Sequence, residues 1–313
     1  MILLWGVMQD KPLAAVHGAL QRQGAEVRVI DQLDILETGV DLTVDGRVEG
    51  RVTVGDVSID LGDVTAVYLR TYDWRRLPEI TEAGPGSAAW QHALAVEEAI
   101  AAWLEVTPAL VVNPPAAMAT NNSKPFQAIL IRQAGFDTPE TLVTTDPAAV
   151  LEFREVHKEI VYKSVSGTRS IVSRLNDKNL DRLDDIAWCP TQFQQYVAGT
   201  DYRVHVVGDN VFACKVVSDA DDYRYGEKWG METSFRPCWI PDEQAKRCVK
   251  LARDAGLTIA GVDLRQTPDG RWYCFEINPS PGFTYYQAET GQPIDEAVAG
   301  LLMKGYEDSR RVA

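Results

Sequence analysis

Little in this 313-residue chain points to metal clusters, disulfides or membranes. Its five cysteines, Cys189, Cys214, Cys238, Cys248 and Cys274, include no C-x-x-C pair, and the four histidines are dispersed, so zinc-ligand spacing is missing. An odd, scattered set of thiols is expected to be reduced and mostly buried. No apolar run reaches the roughly 18 residues that span a bilayer. The run over 2–7 is too short, and lacks the basic leader, for a signal peptide, so a cytoplasmic protein is expected. Positive charge is scarce as well: 31 Lys and Arg stand against 45 Asp and Glu, a net −14. Such a surface repels phosphate backbones and anionic lipid, which argues against nucleic-acid and membrane partners but leaves room for a small basic nucleotide pocket. Neither G-x-x-x-x-G-K-[ST] nor G-x-G-x-x-G occurs. None of the histidines has a Ser or Cys partner motif, so nucleophilic catalysis is unsupported. His205, alternating with Val204 and Val206, reads as structural or pocket-lining.

What is present alternates between strand and helix patterns. An apolar run over 2–7, helical spacing over 12–23, a glycine, and an apolar run over 27–30 predict parallel strands joined by a crossover helix. Short strands follow over 41–60, with Asp45-Gly46 predicted as a two-residue hairpin turn. A strand over 64–69 and a helix over 88–104 lead to Asn113-Pro114-Pro115, where Pro-Pro stops regular structure. Asn122-Ser123 is placed to cap a helix over 124–134, and Asp146-Pro147 opens another with proline in its first turn. Strands over 160–164 and 170–174 flank a small polar loop. The segments 192–197, 202–207 and 211–217 read as one meander, turned at Gly208-Asp209-Asn210. A helix over 242–255 precedes a last hairpin, 261–265 and 271–277, and a helix over 294–304 closes the pattern. The fold class expected is α/β with α+β lobes: an N-terminal parallel-sheet unit (1–113), a central lobe (114–195) and a C-terminal lobe (196–313).

The last hairpin is the most informative segment. Side chains at i and i+2 share a strand face, so Glu276 and Asn278 point together while Phe275 and Ile277 point away. With Asp269-Gly270 as a two-residue turn, Asp263 falls opposite Glu276. Opposed carboxylates repel unless a cation sits between them. Carboxylate and amide oxygens are hard ligands of the kind Mg²⁺ takes, with phosphate oxygens and water completing its shell.

Gly261-Val262-Asp263-Leu264 and Phe275-Glu276-Ile277-Asn278-Pro279-Ser280-Pro281-Gly282 together resemble the metal-binding end of ATP-grasp ligases. The branch most similar holds the ribosomal-protein glutamate ligases and the microviridin-type (graspetide) peptide macrocyclases. The run Gln194 to Val204 is similar to that branch's nucleotide hinge, and Thr290-Gly291-Gln292-Pro293-Ile294 is similar to its macrocyclases. The resemblance covers about residues 113–304. It implies an ATP-grasp fold in which two lobes sandwich ATP. Asp263, Glu276 and Asn278 would hold Mg²⁺, Lys163 the α/β-phosphates, and Lys124 would be a second phosphate-proximal lysine. Backbone groups of Gln195, Tyr196 and Val197, beside Gln194, would meet adenine, with Asp201 near the ribose. Arg203 and Lys215 would face the γ-phosphate and the acyl phosphate. Gln195 replaces the family's usual Glu, which leaves backbone recognition intact but weakens the case for ATP preference.

The loop from Ser164 to Arg169, with Ser166 and Gly167, fits either a lid over phosphates or a plain hairpin loop. Arg70, in the aromatic-basic run Tyr68 to Arg76, is a substrate candidate at a strand end, against the alternative of a solvated loop. Arg224 would either grip a substrate carboxylate or sit in a surface salt-bridge loop. The activity implied is ATP-dependent ligation of a carboxylate, on a small molecule or peptide, to an amine. The rivals are a kinase-like phosphotransferase and a non-catalytic nucleotide-binding module. A homo-oligomer is common in the resembled branch.

Overall fold

The computed structural model describes residues 1–45, 48–165, 171–218, 223 and 230–312. Strand β1 (Ile2–Gly6) is buried at every position, as the middle of a parallel sheet requires. Asp10 caps α1 (Lys11–Arg22), which packs Leu13, Val16, Ala19 and Leu20 inward before β2 (Val27–Asp31). An antiparallel excursion of β3 (Thr38–Val44), β4 (Val48–Val54) and β5 (Val57–Asp60) then intervenes. It is followed by β6 (Ala66–Arg70), α2 (Pro78–Ala83), α3 (Ala88–Leu104) and β7 (Leu110–Val112). The order β2-β1-β6-β7 is parallel throughout, as the β-α-β pattern implied. The turn placed at Asp45-Gly46 differs in length: Val44 pairs with Val48, which leaves three residues between the strands, and Gly46 itself lies outside the described residues.

After α4 (Pro115–Met118), the Ser123 hydroxyl accepts from the Phe126 N–H and caps α5 (Lys124–Gln133). A second sheet contains β8 (Thr141–Thr144), β9 (Ile160–Ser164), β10 (Ser173–Arg174) and β11 (Thr191–Gln195), with α6 (Pro147–His157) and α7 (Asp177–Leu180) between. Its order is β10-β9-β11-β8. Here the expected meander fails, because the strand over 191–195 pairs with β8 and β9 rather than with the strands that follow it. The chain changes sheets at Tyr196 to Gly199. At Gly199 a β-carbon would lie 2.3 Å from the Gln266 carbonyl oxygen, a separation only glycine tolerates.

The third sheet, order β14-β13-β12-β15-β16, comprises β12 (Thr200–Val207), β13 (Asn210–Ser218), β14 (Thr233–Cys238), β15 (Ile259–Gln266) and β16 (Trp272–Asn278). One face buries Val204, Val206, Val262, Leu264 and Ile277 against α5 and α8 (Asp242–Asp254). That leaves the opposite face for polar work. Helix α9 (Thr284–Thr290) lies near β14, and α10 (Ile294–Val312) returns to α1. There Val298 and Leu302 share a core with Ile2, Leu4 and Leu13. All five thiols are free; Cys214, Cys248 and Cys274 are buried, whereas Cys189 is exposed. No described helix is long and apolar enough to cross a membrane.

Candidate active site

The β15–β16 hairpin closes on a longer turn than the two-residue one expected. The Gly270 N–H donates to the Thr267 carbonyl (2.9 Å) and the Thr267 N–H to the Arg271 carbonyl (3.0 Å), so the bonded pair Thr267 and Arg271 closes a three-residue loop. Pro268 and Gly270, the latter at φ +86°, suit this turn. An odd loop by itself would slide Asp263 away from Glu276. A β-bulge restores them: Leu264 pairs with Cys274, then Asp263 with Glu276, and Phe275 is the extra residue. Phe275 consequently does not join Ile277 in the core, as simple alternation predicted. It lines a cleft together with Glu276 and Asp263.

Each carboxylate of the pair already faces a basic side chain. Lys124 Nζ, at the start of α5, donates to Glu276 Oε1 (2.7 Å) and to Asn121 Oδ1 (3.2 Å). Arg203 Nη1 donates to Asp263 Oδ1 (2.8 Å), which the Tyr223 hydroxyl also approaches (3.3 Å). The repulsion that called for a cation is therefore met first by protein cations. Arg203 is buried, and the field of Asp263 raises its pKa although burial alone would lower it. Gly261 admits this guanidinium, since a β-carbon there would stand 2.0 Å from Arg203 Nη2.

Arg203 Nε donates a long bond to His205 Nε2 (3.5 Å), and both groups lie against the Tyr286 ring. Burial, then the charge of Arg203, holds the imidazole well below its usual 6.5, so His205 is neutral in the fold. Because the unfolded chain binds that proton first, stability is complete above about pH 6.5 and declines as the pH falls below it, by at most about 1.4 kcal/mol per unit. His205→Phe is expected to flatten that limb in urea titrations at pH 7.0 to 5.0; an unaltered slope would assign the loss to other groups.

Across the cleft stands the central sheet. Ile160 and Phe193 enter its core, so their neighbours Val161, Lys163 and Gln194 face the cleft. Lys163 is buried, and Gln192 sits directly across the ladder from it with Oε1 lacking a partner among the described residues. The hinge is partly committed: the Gln195 and Tyr196 N–H groups donate to Glu140 and Glu159 carbonyls (2.9 and 3.0 Å). Arg265, which the sequence reading passed over, ties the hinge to the hairpin. It forms a bidentate pair with Asp201 (2.6 and 2.7 Å) and donates to the Val197 carbonyl (2.7 Å). Its guanidinium also lies over Phe275, with Tyr196 on another side and Arg174 3.9 Å from the Tyr196 ring. This leaves fewer backbone groups for a base edge than the full run from Gln195 to Val197 promised. The cleft volume is about 100 Å³.

Two candidates are placed differently from expectation. Lys215 pairs with Tyr202, while Arg203 pairs with Cys214 and Asp263, so Lys215 lies on the opposite face of the sheet from the carboxylates. Its neighbourhood is Cys238, not Arg203. Arg70 borders a separate cavity of about 290 Å³ with Gln9, Thr71 and Tyr72, but its guanidinium is bonded to Asp10, Ser280 and Pro281. Ser166, Gly167 and Arg224 lie outside the described residues. Asn278, opposite Gly261, accepts from the Ser280 N–H (2.9 Å) and keeps amide-oxygen capacity.

A cleft walled by one antiparallel sheet and by a carboxylate-bearing hairpin of the next, in a chain that also carries a parallel sheet, is the architecture of ATP-grasp proteins. Residues 120–302 match the RimK-like ATP-grasp domain, more than half of the chain, and the chain belongs to that family. A Vibrio cholerae protein named probable alpha-L-glutamate ligase is 31% identical over 121 residues, 37% of this chain and 39% of that protein's length. The whole fold is similar to macrocyclase MdnC of Microcystis aeruginosa, bound with precursor peptide MdnA. Identity is 25% and TM-score 0.79, covering 96% of this chain and 98% of that one. It is likewise similar to the ATP-grasp ligase PsnB, complexed with a phosphomimetic variant of its minimal precursor, Mg and ADP. Identity there is 28% and TM-score 0.78, covering 97% and 98%.

Proposed function

We propose that the protein is an ATP-dependent carboxylate–amine ligase that acts on a peptide and requires Mg²⁺. The observation that carries this reading is the convergence of Asp263, Glu276 and Asn278 on one strand-paired edge, with Lys124, Lys163 and Arg203 around it. Three hard oxygen donors fit Mg²⁺, and the surrounding cations fit a triphosphate. Bound there, Mg²⁺ would supply charge neutralisation and orientation of the transferred phosphoryl group. The nucleotide would lie between the central lobe (114–195) and the C-terminal lobe (196–313), its base between Phe275 and the hinge.

A substrate carboxylate oxygen attacks the γ-phosphorus, the bond to the ADP oxygen breaks, and an acyl phosphate forms. An amine then attacks the carbonyl carbon, the carbon–oxygen bond to phosphate breaks, and the nitrogen loses a proton. Amide, ADP and phosphate leave. Phosphorylation is required because a bare carboxylate would have to expel oxide. Lys163, Lys124 and Arg203 offset charge as it shifts toward the leaving oxygens, and the fixed cleft supplies position. Lys215, on the far sheet face, is not assigned a step. The peptide substrate is inferred from the likeness to MdnC and PsnB, whose structures hold precursor peptides.

The expected result with ATP, Mg²⁺ and peptides bearing both side-chain carboxylates and amines is ADP release matched by loss of one water per new bond, read by mass spectrometry. A stable phosphopeptide with amines untouched would make the protein a phosphotransferase. ATP binding without substrate-stimulated hydrolysis would make it a binding module.

A further inference from the structure

β16 ends at Asn278, so the segment after it is held by something other than the ladder. Two side chains from residues 1–113 grip that segment. Arg70, last in β6, donates through Nη1 to Ser280 Oγ (2.7 Å) and to the Pro281 carbonyl (3.2 Å). Its Nε and Nη2 meet both oxygens of Asp10 (3.1 and 2.9 Å). Asn113, just past β7 and 1% exposed, donates from Nδ2 to the Pro279 and Ile259 carbonyls (2.6 and 2.7 Å). Its Oδ1 accepts from the Thr258 and Ile259 N–H groups (2.8 and 3.0 Å). Between these grips the Ser280 N–H donates to Asn278 Oδ1.

A continuous relay thus runs from Asp10 through Arg70 and Ser280 to the amide oxygen of Asn278. We propose that Arg70 and Asn113 are positioning residues, by which the N-terminal sheet sets the Asn278 oxygen toward the metal. This rests on the reading that Asn278 helps hold Mg²⁺. The amide of Asn278 has two rotatable bonds, and its orientation is fixed by the Ser280 N–H, whose place depends on Arg70. Four of the five Arg70 N–H donors meet protein acceptors, which suits a brace better than a substrate grip. Side chains behind the ligands of metal sites typically alter metal affinity by about 10–100-fold when removed.

The test is the affinity for Mn²⁺ in the presence of ADP, followed by electron paramagnetic resonance, in full-length Arg70→Ala, Asn113→Ala, Ser280→Ala, Asn278→Ala and the Arg70→Ala/Asn278→Ala double variant. Arg70→Ala and Asn113→Ala are each expected to weaken Mn²⁺ about tenfold and to leave metal-free ADP affinity unchanged. The double variant should bind Mn²⁺ no more weakly than Asn278→Ala alone. Should Arg70→Ala or Asn113→Ala not fold, Ser280→Ala, which keeps the Asp10–Arg70 pair, is expected to lose affinity in the same direction. Wild-type Mn²⁺ affinity in the folded brace variants, with Asn278→Ala weakened, overturns the brace alone, and so does a double-variant loss equal to the product of the singles. Wild-type affinity in Asn278→Ala overturns both the brace and the metal reading beneath it.

Discussion

Glu276→Ala is expected to lower ADP-forming turnover by about a hundredfold or more while the fold survives. The side chain sits at the strand-paired edge with Asp263, and its charge is shared with Lys124 at 2.7 Å. Its removal takes away a hard oxygen donor and frees Lys124 to follow Asn121 alone. Structurally the loss is intermediate: with the Lys124 side chain 10% and the Glu276 side chain 22% exposed, breaking the pair costs more than the roughly 1 kcal/mol of a surface pair and less than the roughly 3–5 kcal/mol of a fully buried one. A loss of about 2 kcal/mol lowers the melting temperature by several degrees. Glu276→Gln separates the roles: it keeps an acceptor for Lys124 but removes the charge. Normal turnover by Glu276→Gln at ordinary Mg²⁺ would remove the carboxylate from the metal assignment.

Gly261→Ala is expected to be nearly as damaging, through a residue that touches no substrate. The added methyl would fall 2.0 Å from Arg203 Nη2, 2.6 Å from its Cζ and 2.9 Å from Pro281 Cβ. None of these separations is tolerable, so the guanidinium must leave Asp263 or the 279–282 loop must move. Separating the buried Arg203 guanidinium from Asp263, whose side chain is 21% exposed, costs up to about 3–5 kcal/mol, and some of that is recovered if Arg203 finds a new pose. The expected outcome is a loss of about 2–4 kcal/mol in urea unfolding, with turnover reduced about a hundredfold. Retention of both at wild-type level would mean that the Arg203–Asp263 pair is dispensable.

The opposition of Asp263 and Glu276 was legible in the sequence, yet the route to it was wrong. Counting from a two-residue turn at Asp269-Gly270 gives the observed pairing; the actual turn is one residue longer, and the bulge at Phe275 removes the difference. The run Thr267-Pro268-Asp269-Gly270 carries the signal for the longer turn, with proline second and glycine last. Counted that way, the loop would have demanded a bulge and moved Phe275 to the cleft face. Lys215 went astray for a related reason. The resemblance assigned it beside Arg203, but register puts Arg203 across from Cys214, and a period of two sends Lys215 to the other face.

Sequence alone settled what local physics settles. Alternation marked β12 and β16, an apolar run marked β9, Asn122-Ser123 and Asp146-Pro147 announced helix starts, and buried runs announced a parallel N-terminal sheet. Tertiary structure decided which sheet β11 joins, because its one apolar residue, Phe193, does not by itself specify which core it enters. It also decided the partners of the charges. Lys124 meets Glu276 across 152 residues, Arg70 meets Ser280 across 210, and Arg265 meets Asp201 across 64. No periodicity encodes such pairs, since a side chain's reach along its own strand or helix is a few residues while ion pairing depends on distance through space.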